Sequence, residues 1–335
     1  MSTEVVHPDE VESYWAAVRG TDLEGAAAVA EAVYRRTSSV EAVLQGLVVE
    51  SQQRVGSLWA HGEWTVADEH AATAINEVVA HRIGLHVPGP QTGPLLLVSC
   101  VEREWHALPA LVVTLVMRAR GWRTELLGAN TSRDELVDRI LDQGPRAVLL
   151  SASLASSLPR TRRQVEAVRG TGTPVVVGGR AFDAAGRRAE RIGASAHATG
   201  PAEAAARLDA LPHHVPPAPP LRDAAAREAA DLQARTGDVV RRVMLVTFAT
   251  LDLPPEEHAP DLWSGVLAGF LPHVVDGVVG ALVTDDPTVV AETRSWLVEV
   301  LGARLADPRA LDALWGALEH ELRDYPEVTR LLASA

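Results

Sequence analysis

Apolar residues recur at helical spacing through the first 86 positions, with polar residues between them. Periodic, alanine-rich segments cover residues 9–19, 22–35, 39–60 and 66–84. The last one opens with Thr65 and has Asp68 three positions on, which is the pattern of a capping box. Four helices with short connections predict a small antiparallel bundle. From Pro94 the period changes, and short apolar runs alternate with longer amphipathic stretches. Strands are predicted at residues 94–100, 123–127, 147–151, 174–178 and 196–199, with helices at 108–120, 132–143, 159–169, 184–191 and 202–211. Strands and helices in alternation predict a parallel sheet covered on both faces, and five strands favour the flavodoxin-like order. A proline-rich spacer follows at residues 212–220. Beyond it the pattern is helical again, over residues 221–250 and then near 262–270, 274–282, 288–302, 311–323 and 326–332. The chain thus reads as a multidomain α and α/β protein: a four-helix bundle over residues 1–90, a Rossmann-like domain over 91–211, the spacer, and an all-helical domain over 221–335.

A length of 335 residues agrees with two or three domains, and 47% apolar residues suffice for their cores. The net charge of −13 argues against a nucleic-acid binder that works by neutralising phosphates. The charge is uneven. Residues 1–90 hold 13 acids and 5 arginines, residues 91–220 hold 12 and 16, and residues 221–335 hold 19 and 10. Only the sheet region is net basic. All 31 basic residues are arginine, so neither a lysine Schiff base nor a P-loop lysine is available. The single Cys100 excludes an intrachain disulfide and a cysteine-rich metal site. The N-terminus lacks the pattern of a signal peptide, and no apolar stretch reaches the ~18 residues of a membrane span. A cytoplasmic protein without a membrane partner is expected.

Candidate chemistry gathers at predicted strand ends. Glu104-Trp105-His106 follows the first strand, Ser151-Ala152-Ser153 closes the third and Gly178-Gly179 closes the fourth. In open α/β sheets these carboxyl ends form the ligand rim. Singly, a histidine after a strand is most often a surface or capping residue, a serine at a strand end a helix cap and a glycine pair a turn; together on one rim they make a specific combination. No GxGxxG follows the first strand, which counts against a dinucleotide.

These pieces, in this order, resemble the binding signature of cobalamin (vitamin B12) domains of corrinoid methyltransferases and photoreceptors. The likeness extends through Gly121-Trp122, Leu127-Gly128-Ala129-Asn130 and Ile192-Gly193-Ala194, about 115 residues in all. It implies His106 as the lower axial ligand of cobalt, Glu104 as its partner, and Ser151, Ser153, Gly178 and Gly179 along the slot for the cofactor's tail. Pro109 stands where the family usually has glycine. In the bundle, Trp59, nine residues and then Glu69-His70 resemble the motif of the cap in cobalamin-dependent photoreceptors. There the tryptophan covers the upper face of adenosylcobalamin, and the glutamate and histidine meet its ribose and adenine. Ala60 replaces the histidine with which DNA-binding members of that family capture cobalt. His61 is turned about 100° away on a helix, so trapping between two histidines is not expected.

The bundle begins almost at residue 8, where DNA-binding relatives have a basic domain, so no direct DNA binding is expected. The three parts together resemble the photocobilins, which pair B12 with a bilin such as biliverdin. Trp263, His273, Trp296, Trp315 and Phe248 are candidates to line a pocket for a linear tetrapyrrole, with Arg241 and Arg242 for its propionates and His258 or His273 for its pyrroles. The expected function is a cobalamin-binding light sensor rather than an enzyme, signalling to a regulator protein or through a homo-oligomer. Two alternatives are a corrinoid carrier of a methyltransferase system, and an interaction protein whose C-terminal domain docks a regulator.

Overall fold

The computed structural model describes residues 5–87, 89, 91–253 and 263–334. The cap is made of α1 (Pro8–Arg19), α2 (Leu23–Thr37), α3 (Val40–Val43), α4 (Glu50–Ala60) and α5 (Val66–Gly84). α3 runs into α4 through a π-helical stretch, Leu44–Val49, which sequence periodicity does not reveal. The capping box is present: Thr65 Oγ1 accepts the Asp68 N–H at 3.2 Å, and Asp68 Oδ2 accepts the Thr65 N–H at 2.9 Å. Four of the predicted helical segments are therefore found where expected, the third broken by the π turn.

The sheet holds β1 (Leu95–Cys100), β2 (Arg123–Gly128), β3 (Ala147–Ser151), β4 (Val175–Gly178) and β5 (Ala196–Ala198), all parallel in the order β2-β1-β3-β4-β5. This is the flavodoxin-like order, whose switch point falls between β1 and β3. Helices α6 (Leu108–Ala119), α7 (Arg133–Gln143), α8 (Leu158–Gly170), α9 (Arg187–Arg191) and α10 (Pro201–Ala210) connect the strands. The register aligns the strand ends in one row: Cys100 pairs with Ser151, Ser151 with Gly178, and Gly178 with Ala198.

Alternation along the strands sorts the core. Leu96, Val98, Leu149 and Val176 pack with Ala110 and Met117 of α6 and Leu208 of α10. Leu95, Leu97, Val148 and Val177 face the other way, toward Ile140 of α7 and Val165 of α8. The cap's core continues onto the outer side of α6 through Leu111 and Leu115.

Beyond α8 lie α11 (Ala224–Thr250), α12 (Trp263–Thr284), α13 (Thr288–Ala303), α14 (Ala310–Leu322) and α15 (Pro326–Ala333). Their apolar residues share one continuous core with that face of the sheet. The spacer is strapped down on the way. Arg146, Arg162 and Arg169 donate to the carbonyls of Pro212, Pro219 and Pro216, which satisfies acceptors in a stretch where proline supplies no donors.

One sequence expectation needs correction here. Two helices, near residues 262–270 and 274–282, were anticipated on either side of Pro272, yet α12 passes straight through it. The proline removes one backbone hydrogen bond, and dense burial of the flanking turns holds the helix together. Among the described residues α12 is also long and apolar enough to cross a membrane, contrary to the reading that no such stretch exists. However, 72% of that window is buried in the protein, with Asp276 paired to Arg160 at 2.9 Å, as suits a core helix.

Cap and C-terminal helices thus lie against opposite faces of the sheet. They meet at one end, where α4 touches α12 and α13 through Trp59.

Candidate cobalamin site

The loop after β1 is fixed around one buried carboxylate. Glu104 is 1% exposed. Its Oε1 accepts from Nδ1 of His106, and its Oε2 accepts the backbone N–H groups of Ser153 at 2.8 Å and Leu154 at 3.3 Å. The strand-end row brings these groups together across the β1–β3 switch point. The loop is held from behind as well. Asn130 Oδ1 accepts the Arg103 N–H at 2.8 Å, and the Asn130 N–H returns to the Glu104 carbonyl at 2.9 Å. Gln164, fully buried on α8, accepts the Glu102 N–H at 3.1 Å and donates to the Thr131 carbonyl at 2.9 Å.

These bonds set the charges. Burial pushes the Glu104 carboxyl up, but hydrogen bonds from His106 and the Ser153 amide outweigh it and leave it below its ordinary value. The Glu104 bond holds His106 above the ordinary imidazole value against the opposing effect of burial; the charges of Glu104 and Glu69 add to this, and Arg180 opposes it. With Nδ1–H donated to a carboxylate, Nε2 is the nitrogen left for a metal, and no described residue hydrogen-bonds it. Cys100 lies just beneath. Burial, and then the Glu104 charge, push its thiol up to about 12, and Sγ–H points at the His106 carbonyl at 3.5 Å, so it is packing rather than a nucleophile.

The glycine pair makes a wall without side chains. Gly179 has φ 106°, and a Cβ there would stand 2.2 Å from the Ala152 carbonyl oxygen. A Cβ on Gly178 would stand 2.7 Å from that of Ala198. Ser151 is buried at the end of β3, and Ser153 is half-buried beside it. Pro109 sits in the first turn of α6, where its missing N–H costs nothing.

From the cap, Glu69 and His70 project in the first turn of α5, Glu69 half-buried and His70 exposed. Trp59 sits at the meeting point with the C-terminal helices. Its ring centroid lies 5.8 Å from that of Phe270 and 6.1 Å from that of Trp296, with the Arg304 guanidinium 4.7 Å over its face. Sequence reasoning missed Gln164, Arg180 and Ser156, and gave Asn130 no role beyond its place in the wider likeness. Only Asn130 carried a local signal, as a residue suited to the positive φ of 52° that it adopts.

Of the residues expected for a bilin, Trp296 and His273 both meet the Phe270 ring, at 4.6 and 5.6 Å between centroids. Arg241 is paired with Asp238 on its own helix at 2.5 Å, and Arg242 with Glu321 of α14 at 2.6 Å. Trp315 and Phe248 are buried, Trp315 under Arg294 at 5.4 Å. Trp263 begins α12, while His273 points to the rim and bonds Ser156 Oγ at 2.9 Å. His258 lies outside the described residues.

The site fits a corrin-type cofactor on the chemistry of its donors: an imidazole nitrogen positioned by a buried carboxylate, hydroxyls on the rim, and a Gly178-Gly179 pair that carries no side chain. Comparison with known proteins agrees. Two family models, each described as a B12 binding domain, match residues 10–82 and 94–208. The monomethylamine corrinoid protein of Methanosarcina barkeri has a similar fold, with a TM-score of 0.53 and 16% identity over 62% of this chain and 100% of that one. A cobalamin-binding protein from Desulfitobacterium hafniense DCB-2 aligns at 19% identity over 62% of this chain and 98% of its own, with a TM-score of 0.34. The methanol:cobalamin methyltransferase complex of Methanosarcina barkeri aligns at 14% over 62% and 80%, with a TM-score of 0.33. No curated protein sequence matches. The matched regions end at residue 208, before the C-terminal helices begin, and they make the chain a cobalamin-binding protein.

Proposed function

We propose that the chain is a light sensor, not an enzyme, and that adenosylcobalamin lies between cap and rim with His106 as the lower axial ligand. The feature that carries this reading is the Trp59/Glu69/His70 pattern in the cap, which the chain joins to a rim whose His106 is held by the buried Glu104. A carrier needs no such motif.

Bound adenosylcobalamin supplies a cobalt–carbon bond that visible light breaks. The protein's part is to hold and orient. His106 would bind cobalt through Nε2, with Glu104 keeping the ring in one tautomer and one direction. Ser151 and Ser153 would hold the tail along the Gly178-Gly179 wall. Glu69 and His70 would hydrogen-bond the adenosyl group, and Trp59 would close over it. His61 donates Nδ1–H to the Ser57 carbonyl at 2.7 Å and lies 3.1 Å from Glu299 through Nε2, so both its nitrogens have partners away from the position of Ala60. The C-terminal helices would pass the change to a regulator protein or a second copy. A linear tetrapyrrole on α12 and α13 is the remaining part of the proposal, resting on Trp263, Trp296 and His273.

The second reading, a corrinoid carrier, is favoured by the fold shared with the monomethylamine corrinoid protein. The test is the absorption spectrum of the full chain loaded with adenosylcobalamin. Bleaching under green light, and loss of the histidine-ligand spectrum in His106→Ala, are expected. A holoprotein that is stable under the same light overturns the sensor. Added biliverdin without a red-shifted band removes the tetrapyrrole.

A further inference from the structure

One face of α12 touches both halves of the cobalamin site. Phe270 packs on Trp59 of the cap and edge-on to Trp296 of α13, at 5.8 and 4.6 Å between centroids. Three residues on, and so on the same face, His273 meets the Phe270 ring at 5.6 Å and bonds Ser156 Oγ at 2.9 Å. Another three on, Asp276 pairs with Arg160 of α8 at 2.9 Å. Ser156 belongs to the turn Ala155–Ser157, directly after the Ser153 and Leu154 amides that grip Glu104. A chain of contacts therefore runs from Trp59 through Phe270, His273 and Ser156 to Glu104 and His106. α13 adds a clamp on the cap. Arg304 donates to the carbonyls of Trp59 at 2.9 Å and Ala60 at 3.3 Å, in the last turn of α4.

We propose that Phe270 and His273 are positioning residues of the cobalamin site, setting the separation between the cap's Trp59 and the β3 loop that anchors Glu104, and thereby which upper ligand the site admits. Neither need touch the metal. Phe270 fixes where the indole stands, and His273 fixes where the loop stands. Residues outside both matched B12 binding regions thus complete the site. Burial holds the His273 imidazole below its ordinary value, and the charges of Asp276 and Arg160, then of Glu104 and His106, act on it in opposing pairs. This inference rests on the reading that cobalamin lies between the cap and His106.

The experiment uses the full chain and compares affinities for adenosylcobalamin and hydroxocobalamin. In Phe270→Leu the adenosyl form should weaken at least fivefold and the hydroxo form less than twofold. His273→Ala should weaken both and alter the histidine-ligand absorbance, and His273→Gln, whose amide can still bond Ser156, should restore them. Unchanged affinities in all three variants, or equal losses in Phe270→Leu, overturn the proposal. Trp296→Phe keeps a ring against Phe270 and gives a second measurement of the same ratio should Phe270→Leu fail to fold. A wild type that binds both forms equally defeats the adenosyl reading instead. The His273→Ala and His273→Gln absorbances then decide the positioning role alone, an unshifted His273→Ala spectrum counting against it.

Discussion

Arg188 donates its Nε–H to Asp286 at 2.7 Å, although the two stand 98 positions apart in the chain. The arginine is 2% exposed and also reaches Glu292 at 2.7 Å and Thr288 Oγ1 at 2.9 Å. It ties α9, at the rim side of β4, to the turn joining α12 and α13. Arg188→Ala strands Asp286 and leaves Glu292 to water. Breaking a buried pair from one side costs about 3–5 kcal/mol, and the exposure of Glu292 places the expected loss near the lower end. Urea unfolding reads it directly, and a loss under about 1 kcal/mol would show that the cluster is ornamental to stability.

The same pair predicts an acid response. Burial raises the Asp286 carboxyl, but its bonds to Thr288 and Arg188 win and hold it below the ordinary 3.8. A carboxyl depressed in the folded state stabilises fully above its unfolded value, and that stabilisation disappears as pH falls through the folded one. Below about pH 4 the tie between α9 and α13 should therefore weaken. Asp286→Asn should be less stable than wild type at pH 6, with the gap closing toward pH 3. A gap that stays constant across that range rules out Asp286 as the titrating group.

Gly179→Ala should damage the rim more than any other single methyl. Its φ of 106° is strained for an L-residue, and the new Cβ would meet a backbone oxygen that is itself fixed by the Ala181 N–H at 3.1 Å. A cost of at least about 2 kcal/mol is expected, together with loss of cobalamin binding. Gly200→Ala, where a Cβ meets nothing within 4 Å, serves as the control that should retain binding.

Much of this fold was legible because burial is written locally. β1 and β3 are buried at every position, so they appear as unbroken apolar runs. Thr65 and Asp68 announce α5, and Glu104 and His106 stand two residues apart just beyond a strand. What was illegible depends on pairing at a distance. His273 and Ser156 are 117 positions apart, and neither carries a signal of the other. Pro272 misled for the opposite reason: it is a strong local breaker, overruled by the packing of Leu271, Val274 and Val275 around it. Charge along the chain marks Arg241 and Arg242 as free cations, whereas the fold pairs them with Asp238 and Glu321.

Glu104 is the residue through which the site's parts are joined, so Glu104→Gln is the sharpest probe of it. The carboxylate accepts from the His106 ring, the His106 amide and the amides of Ser153 and Leu154. A glutamine offers one acceptor oxygen, and its NH2 would confront donors on the other side. The imidazole would then lose either its fixed tautomer or its hold on the β3 loop. Removing such a partner of a metal-binding histidine typically weakens the metal site 10–100-fold, and that loss is expected here in the affinity for hydroxocobalamin. The fold should survive, because the sheet core does not pass through this loop, and circular dichroism of the cofactor-free protein checks that condition. Wild-type affinity in a folded Glu104→Gln protein would mean that His106 is held by something other than this carboxylate.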